Sequence, residues 1–334
     1  MGRYVARRLV WGVVTMFLVA SAVFVIYFVV PGGGGEREAG EISPVAVLIA
    51  GRQASQGEMR TVEQELDLDK PVLVQYRNYI TALARGDLGF SYAFGAPVRE
   101  VLIQALPASA SIAFGASLLW LFGGLAIGVA SARKRSRWGD RLPEILALAA
   151  LSVPAFVIAL VGLMFFYRVT GIYAGNRYVP LTQNPIEWLA AMWLPWICLA
   201  FPLVAVYART VRSQLLDVGS EDYIRTAHAK GLDQKGVLRH QLRSGLTPVV
   251  TMFGLDFGLL LGGSVIIETI FRIPGLGALL LQARDFYDFP IMSGIVIVIS
   301  GIVVLVNLLV DLTYAALDPR VRIGERSRPK HALV

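Results

Sequence analysis

Side chains able to do chemistry are few and scattered in this 334-residue chain. Its three histidines, His228, His240 and His331, have no serine or cysteine placed as a triad partner. The single cysteine, Cys198, lies in an apolar run, has no second thiol to pair with, and reads as a packing residue. No Cys/His cluster has metal-ligand spacing, so no metal is expected. Gly32 to Gly35 form a glycine run, but no Lys-Ser/Thr follows in a strand–loop–helix context. It reads as a flexible exit from a helix, not a phosphate cradle, and no Gly-x4-Gly-Lys-Ser/Thr occurs anywhere. Two acids, Asp256 and Asp311, interrupt otherwise apolar runs. At membrane depth each is costly and must face the bundle interior or water. They could contact a substrate amine or relay protons. The structural reading is preferred, for example a hydrogen bond from Asp311 to Asn307, because neither acid has a Lys or Arg in its own run.

The most informative polar stretch is Ser220-Glu-Asp-Tyr-Ile-Arg-Thr-Ala-His-Ala-Lys-Gly231-Leu232. Ser220 can cap a helix whose positive first turn suits Glu221 and Asp222. Lys230 suits the last turn, and Gly231 can take a left-handed stop. Asp233 then caps a second helix carrying Val237, Leu238 and Leu242 back to Pro248. A short helix, a glycine corner and a second helix would present a rigid body to a partner. The competing reading is a helix lying on lipid. Tyr223, Ile224, Ala227 and Ala229 do not form one clean stripe, which argues against it.

These residues must be positioned by membrane helices. Hydrophobic residues make up 55% of the chain and charged residues 16%, against about a quarter charged in soluble domains. Six stretches approach the roughly 20 apolar residues that cross a bilayer. They are Leu9–Val30, Ile112–Ala132, Leu142–Phe166, Trp188–Tyr207, Pro248–Ile270 and Ile291–Leu317. The first is too long for a signal-peptide core and lacks a following cleavage site, so it reads as a retained helix. With both termini cytoplasmic, twenty of the 31 Lys and Arg fall inside. Most of the rest lie in one long loop, where the positive-inside rule weakens. The net charge of +7 is thus an orientation signal facing anionic lipid, not a nucleic-acid footprint.

Residues 31–104 form the largest segment outside the membrane. Ser43-Pro44 predicts a helix start and Thr61 with Gln64 a capping box. Pro71 and Gly86 bound a helix whose face would be Leu73, Tyr76, Ile80 and Leu83. Gly254, Gly258 and Gly262, and Gly124 with Gly128, make small-residue stripes for close helix packing. Pro154, Pro195 and Pro202 fall within spans three and four and can kink them.

From Asp222 to Leu232 the loop resembles the ATPase-docking loop of permease subunits in dipeptide and oligopeptide ABC importers, a family with nickel-carrying members. The likeness covers nearly the whole chain. It includes Tyr4-Val-Ala-Arg-Arg-Leu9, Asp69-Lys-Pro-Val-Leu-Val-Gln-Tyr76 and Arg85-Gly-Asp-Leu-Gly-Phe-Ser-Tyr92. It continues through Pro97-Val98, Leu106-Pro107 and Ser152-Val-Pro-Ala-Phe156 to Glu268-Thr-Ile-Phe271, Pro274-Gly-Leu-Gly277 and Asp318-Pro-Arg320. The chain departs from the general Glu-Ala-Ala docking motif, with Arg225, Thr226 and Ala227 there, a form this subfamily shares. An Ile-x-Leu-Pro element is not evident around Gln241–Ser244, and Pro31-Gly32-Gly33-Gly34 replaces Pro-Gly-Asp-Pro.

The resemblance implies an all-α, polytopic membrane protein of about six transmembrane helices, with a type I ABC importer permease-like bundle. The divisions expected are a cytoplasmic N-terminus (1–8), a first transmembrane helix (9–30) and an extracytoplasmic loop with short helices (31–104). A five-helix core (105–317) containing a coupling loop (210–245), and a cytoplasmic tail (318–334), complete the chain. It implies a bacterial inner-membrane location and import of peptides without an ATPase site in this chain. Partners would be a homologous second permease, cytoplasmic ATP-binding subunits carrying ATP and Mg, an extracytoplasmic substrate-binding protein, and membrane lipid. The coupling interface would comprise Glu221, Asp222, Tyr223, Arg225, Thr226, Ala227, His228, Lys230 and Gly231. Nickel or another small solute is the alternative cargo. An ion-coupled secondary transporter would need an ion site and usually shows internal repeats, neither of which is apparent.

Overall fold

The computed structural model describes residues 2–31, 42–51, 54–133, 145, 152–173 and 178–317. Residues 142–144 and 146–151 of the expected third span, Leu142–Phe166, the Gly32 to Gly35 run, His331 and the 318–334 tail lie outside the described residues. The described chain is almost wholly helical. Four single helices are long and apolar enough to cross a membrane: within α1 (Gly2–Phe24, continued by a π-helical turn Val25–Val29), α5 (Val98–Arg133), α7 (Pro185–Gly219) and α13 (Phe289–Leu317). A fifth crossing exists if α9 (Gln234–Gly245) and α10 (Thr247–Gly263), bent by 49°, count as one. A shorter apolar helix, α6 (Ala155–Leu163), runs into a π-helical turn to Val169.

Contacts divide the chain into two compact units. The first comprises Met1–Arg8, Ser111–Leu261 and Leu305–Val334, the second Leu9–Ala110 and Gly262–Val304.

In the second unit the short helices α2 (Pro44–Ala50), α3 (Gln56–Glu65) and α4 (Val72–Ala84) follow α1. Ser43 is the N-cap of α2 with Pro44 in its first turn, as expected. The expected Thr61/Gln64 capping box is not a helix start. The box is formed six residues earlier by Ser55 and Glu58, and Thr61 Oγ1 donates to the Gly57 carbonyl within α3. Both pairs fit the Ser/Thr-x-x-Glu/Gln pattern, and where the chain enters the helix decides between them. Pro71 and Gly86 bound α4 as predicted, Gly86 at φ 78°. Its expected apolar face holds in part: Tyr76, Ile80 and Leu83 are half-buried, Tyr76 against Phe24, but Leu73 is 81% exposed, and Gln75 is buried, its amide donating to the Leu68 and Lys70 carbonyls at 3.3 and 2.8 Å. Burying an amide whose N–H groups are bonded costs little.

A two-stranded hairpin, β1 (Phe90–Ser91) with β2 (Ala96–Pro97), precedes α5. Asp288, 1% exposed, joins this hairpin to α13. It accepts from Ser91 Oγ at 2.5 Å and from the Ala93 N–H at 3.2 Å, while its other oxygen caps α13 through the Ile291 N–H at 3.1 Å. Val98, Leu102 and Ala105 of α5 bury themselves against Ile291 and Ile295 of α13 and against Leu276, Leu279 and Ala283 of α12 (Leu276–Asp285).

In the first unit α5 and α7 approach closely at glycines. A Cβ at Gly128 would lie 2.8 Å from the Ala208 carbonyl oxygen, and one at Gly124 would collide with Tyr207. Gly254 meets Val310 at 2.9 Å. At the other end of the predicted stripe, nothing lies within 4 Å of a Cβ at Gly262 among the described residues. Pro195 and Pro202 sit inside the unbroken α7, whereas Pro154 stands before α6 as its N-cap. Cys198 is buried. The expected fifth span, Pro248–Ile270, is broken at Ser264 into α10 and a short helix α11 (Val265–Ile270).

Candidate functional site

The corner after α7 has the predicted components, shifted at its entrance. Ser220 does not cap the next helix. It ends α7, its Oγ donating to the Asp217 carbonyl at 2.7 Å. The long helix runs on to Gly219, leaving Glu221 as the N-cap of α8 (Asp222–Ala229), with no side-chain cap bond. Gly231 takes φ 77°, and the Leu232 N–H reaches back to the Ala227 carbonyl at 3.2 Å, closing a Schellman-type stop. Asp233 caps α9, accepting from the Gly236 N–H at 2.8 Å. α8 is therefore fixed at its C-terminal end by a left-handed residue, while its N-cap Glu221 has ordinary extended backbone.

Its orientation is more one-sided than the residue types suggest. Ile224 is 1% exposed and anchors the helix, with Ala227 half-buried beside it. Tyr223, 44% exposed, faces outward with Glu221, Asp222, Arg225, Thr226, His228 and Lys230. Arg225 pairs with Asp222 at 3.2 Å on this open surface, a contact of little energetic weight. The outward face is thus polar with one large aromatic, the composition of a helix that enters a protein groove rather than lipid. His240, on α9, is exposed and away from this row.

The two span acids both have partners within the first unit. Asp256 accepts from the Tyr207 hydroxyl at 2.7 Å, and Tyr207 is fully buried between α5 and α10 beside Trp120. Asp311 pairs with Arg8 at 2.9 Å instead of bonding Asn307. The partner comes from the opposite end of the chain, so no inspection of one span could supply it. Both contacts tie helices together, as the structural reading expects. Asp256→Asn and Asp311→Asn should lower the yield of assembled protein about 3-fold or more, a loss of one charge-assisted bond, with cargo choice unchanged in surviving protein. Competition uptake assays check this; normal assembly with altered cargo preference would refute the structural role.

Sequence reasoning passes over Glu268. It lies at the end of the apolar run that Asp256 interrupts, and its carboxylate is completely buried. Ser109 Oγ donates to it at 2.7 Å, Ser264 Oγ at 3.1 Å and the Ala278 N–H at 2.9 Å. Ser109 in turn accepts from the Leu276 N–H at 2.7 Å. Gly275 and Gly277 are required by this packing. A Cβ at Gly275 would lie 2.5 Å from the Glu268 carboxyl, and one at Gly277 2.6 Å from Val265 Cα. An acid in an apolar run, seven residues before a Gly-x-Gly, is the signal that could have found it. Among the described residues no group of three or more His, Cys, Asp or Glu could hold a metal ion.

Two family models match the chain. Residues 124–323 match the binding-protein-dependent transport system inner membrane component, and residues 1–113 match the N-terminal region of such membrane components. A protein of Brucella abortus named as a peptide transport system permease is 36% identical over 319 residues, covering 95% of this chain and 98% of its own. A Brucella suis protein with the same kind of name is 36% identical over 318 residues, with the same coverage. The glutathione transport system permease protein of Salmonella typhimurium is 38% identical over 322 residues, covering 96% of this chain and 98% of its own.

Proposed function

The chain belongs to the family of binding-protein-dependent transport system inner membrane components, and from that premise we propose that it is the permease subunit of an ATP-driven importer of short peptides. The observation that carries the coupling role is the α8 corner. A short helix bounded by Glu221 and stopped at Gly231 offers Tyr223 and a polar face outward, and can transmit a push as one body. The cargo assignment rests on relatives named for peptide and glutathione transport that align over nearly their whole length.

ATP with Mg would be bound and hydrolysed by separate cytoplasmic subunits. A second, homologous permease would complete the pathway, and an extracytoplasmic binding protein would deliver the peptide. Coupling then requires that the ATPase grip α8 differently in its open and closed states, since contact alone shifts no equilibrium. Both termini and the 210–245 loop would face the cytoplasm, residues 31–104 the outside.

Reconstituted with its partners, the chain should support uptake of a labelled dipeptide only with ATP on the ATPase side and loaded binding protein on the other. Uptake driven by a proton or sodium gradient without ATP would overturn the reading. For orientation, a single cysteine placed within 44–90 should label from outside intact cells and one within 133–141 should not. The reverse pattern would invert the topology.

A further inference from the structure

The second unit contains a cavity of about 220 Å³ that the transport reading leaves unused. Its wall is built from the end of α1, the turn after α3, α4, the loop before β1 and the first turn of α13. Three aromatic rings line it. Phe24 and Phe28 stack with centroids 5.8 Å apart, and Tyr79 lies 5.5 Å from the first and 5.7 Å from the second. The Tyr79 hydroxyl is buried and has no hydrogen-bond partner. A buried polar atom left unsatisfied costs free energy that a ligand could recover. Burial pushes this phenol up to about 12, so at neutral pH it keeps its proton and can both donate and accept.

The charge of the lining sets the ligand's sign. Among the described residues, Glu65, Asp67 and Asp87 border the cavity and no Lys, Arg or His lines it. Lys70, just outside the lining, is paired with Asp67 at 2.5 Å, which leaves Glu65 and Asp87 to set the sign. Lys70 first, and Asn78 second, hold the Asp67 carboxyl below the usual carboxylate range. It is therefore ionised at neutral pH. Aromatic faces beside carboxylates favour an organic cation, through the ring quadrupole and through direct charge attraction. The volume falls below the roughly 300 Å³ at which drug-sized ligand pockets begin, which suits one ring and a short arm.

We propose that this cavity is a binding site for a small aromatic or aliphatic ammonium compound, its apolar body against Phe24 and Phe28 and its charged end toward the carboxylates and the Tyr79 hydroxyl. The site is separate from the coupling corner. On the proposed orientation it opens to the outside, but its existence does not depend on that orientation or on ATP.

The test is equilibrium binding of radiolabelled phenethylamine to the assembled importer in nanodiscs, without binding protein or nucleotide. 2-Phenylethanol and phenylacetate serve as the neutral and anionic counterparts. Saturable binding of one amine per permease is expected, with the alcohol and the acid each at least about 10-fold weaker. Ala82→Trp, which fills the cavity, should abolish binding. Tyr79→Phe keeps the shape and should weaken it about 5-fold. No saturable binding, equal binding of amine and alcohol, or binding untouched by Tyr79→Phe would each overturn the proposal. If Ala82→Trp fails to assemble, Tyr79→Phe alone decides the location. Transport is not read in this experiment, so its failure and a failure of the transport reading remain distinguishable.

Discussion

Gly231→Val should abolish ATP-driven uptake while leaving the protein inserted in the membrane. The two halves of that expectation have separate causes. A Cβ at Gly231 meets nothing within 4 Å, so the substitution creates no clash. Its only cost is the left-handed backbone at φ 77°, about 1–2 kcal/mol for an ordinary residue and worse for a β-branched one. That is small for a membrane protein as a whole. It is large for a corner that α8 uses to hold its angle, because relaxing φ would release the Leu232–Ala227 bond and swing the helix. Uptake should therefore rank with left-handed tolerance: Gly and Asn near each other, Ala lower, Val lowest by about 10-fold or more. Ala227→Trp should act differently. Ala227 is half-buried beside Ile224, so an indole there overfills the chain's own packing and displaces the helix. Both variants should weaken co-purification of the ATPase subunit while the binding protein still captures peptide. Normal uptake by the Gly231→Val, Ala227→Trp double variant would remove the docking role.

Glu268→Ala should be the most destabilising single carboxylate change in the second unit. Removing this acceptor strands the Ser109 and Ser264 hydroxyls and the Ala278 N–H in a fully buried site. Stranded donors cost roughly 1–3 kcal/mol each, so a loss of about 3 kcal/mol or more is expected after partial relaxation. Glu268→Gln keeps one acceptor oxygen but presents an amide where a carboxylate accepted, and should fall between. Gly275→Val should match the alanine variant through the opposite fault, since its Cβ would lie 2.5 Å from the carboxyl and from Ser109 Oγ. Thermal unfolding in detergent, followed by loss of monodisperse protein, reads all three. A Glu268→Ala protein as stable as the parent would show that the cluster does not hold α11, α12 and α5 together.

Local rules make much of the corner legible in the sequence. Gly231 and Asp233 are defined by neighbours within five residues, and both take their expected positions. Pro71 and Gly86 bound α4 for the same reason. The failures share a different cause. Ser220 carries a good capping side chain, but α7 continues about three turns past the expected end of its span at Tyr207, so the residue is spent on closing that helix. Apolarity finds Tyr76, Ile80 and Leu83 on the half-buried face of α4 but misplaces Leu73, which is exposed. Gln75, the residue that is buried, is recognised only through carbonyls of the preceding turn. The partners of Asp311 and Glu268 are Arg8 and Ser109, the first near the other end of the chain and the second 159 residues away. No pattern within one span contains that information.

The docking of α8 against the ATPase is the central claim, and Tyr223 is the residue best placed to report on it. It is 44% exposed, aromatic and one turn before Ala227 on a helix whose other outward residues are polar apart from Ala229. A photo-crosslinking amino acid at position 223, illuminated in the assembled importer, should join this chain to the ATP-binding subunit in high yield, and the yield should change when ATP replaces ADP. A crosslink to lipid, or none to the ATP-binding subunit in either nucleotide state, would contradict the docking of this helix.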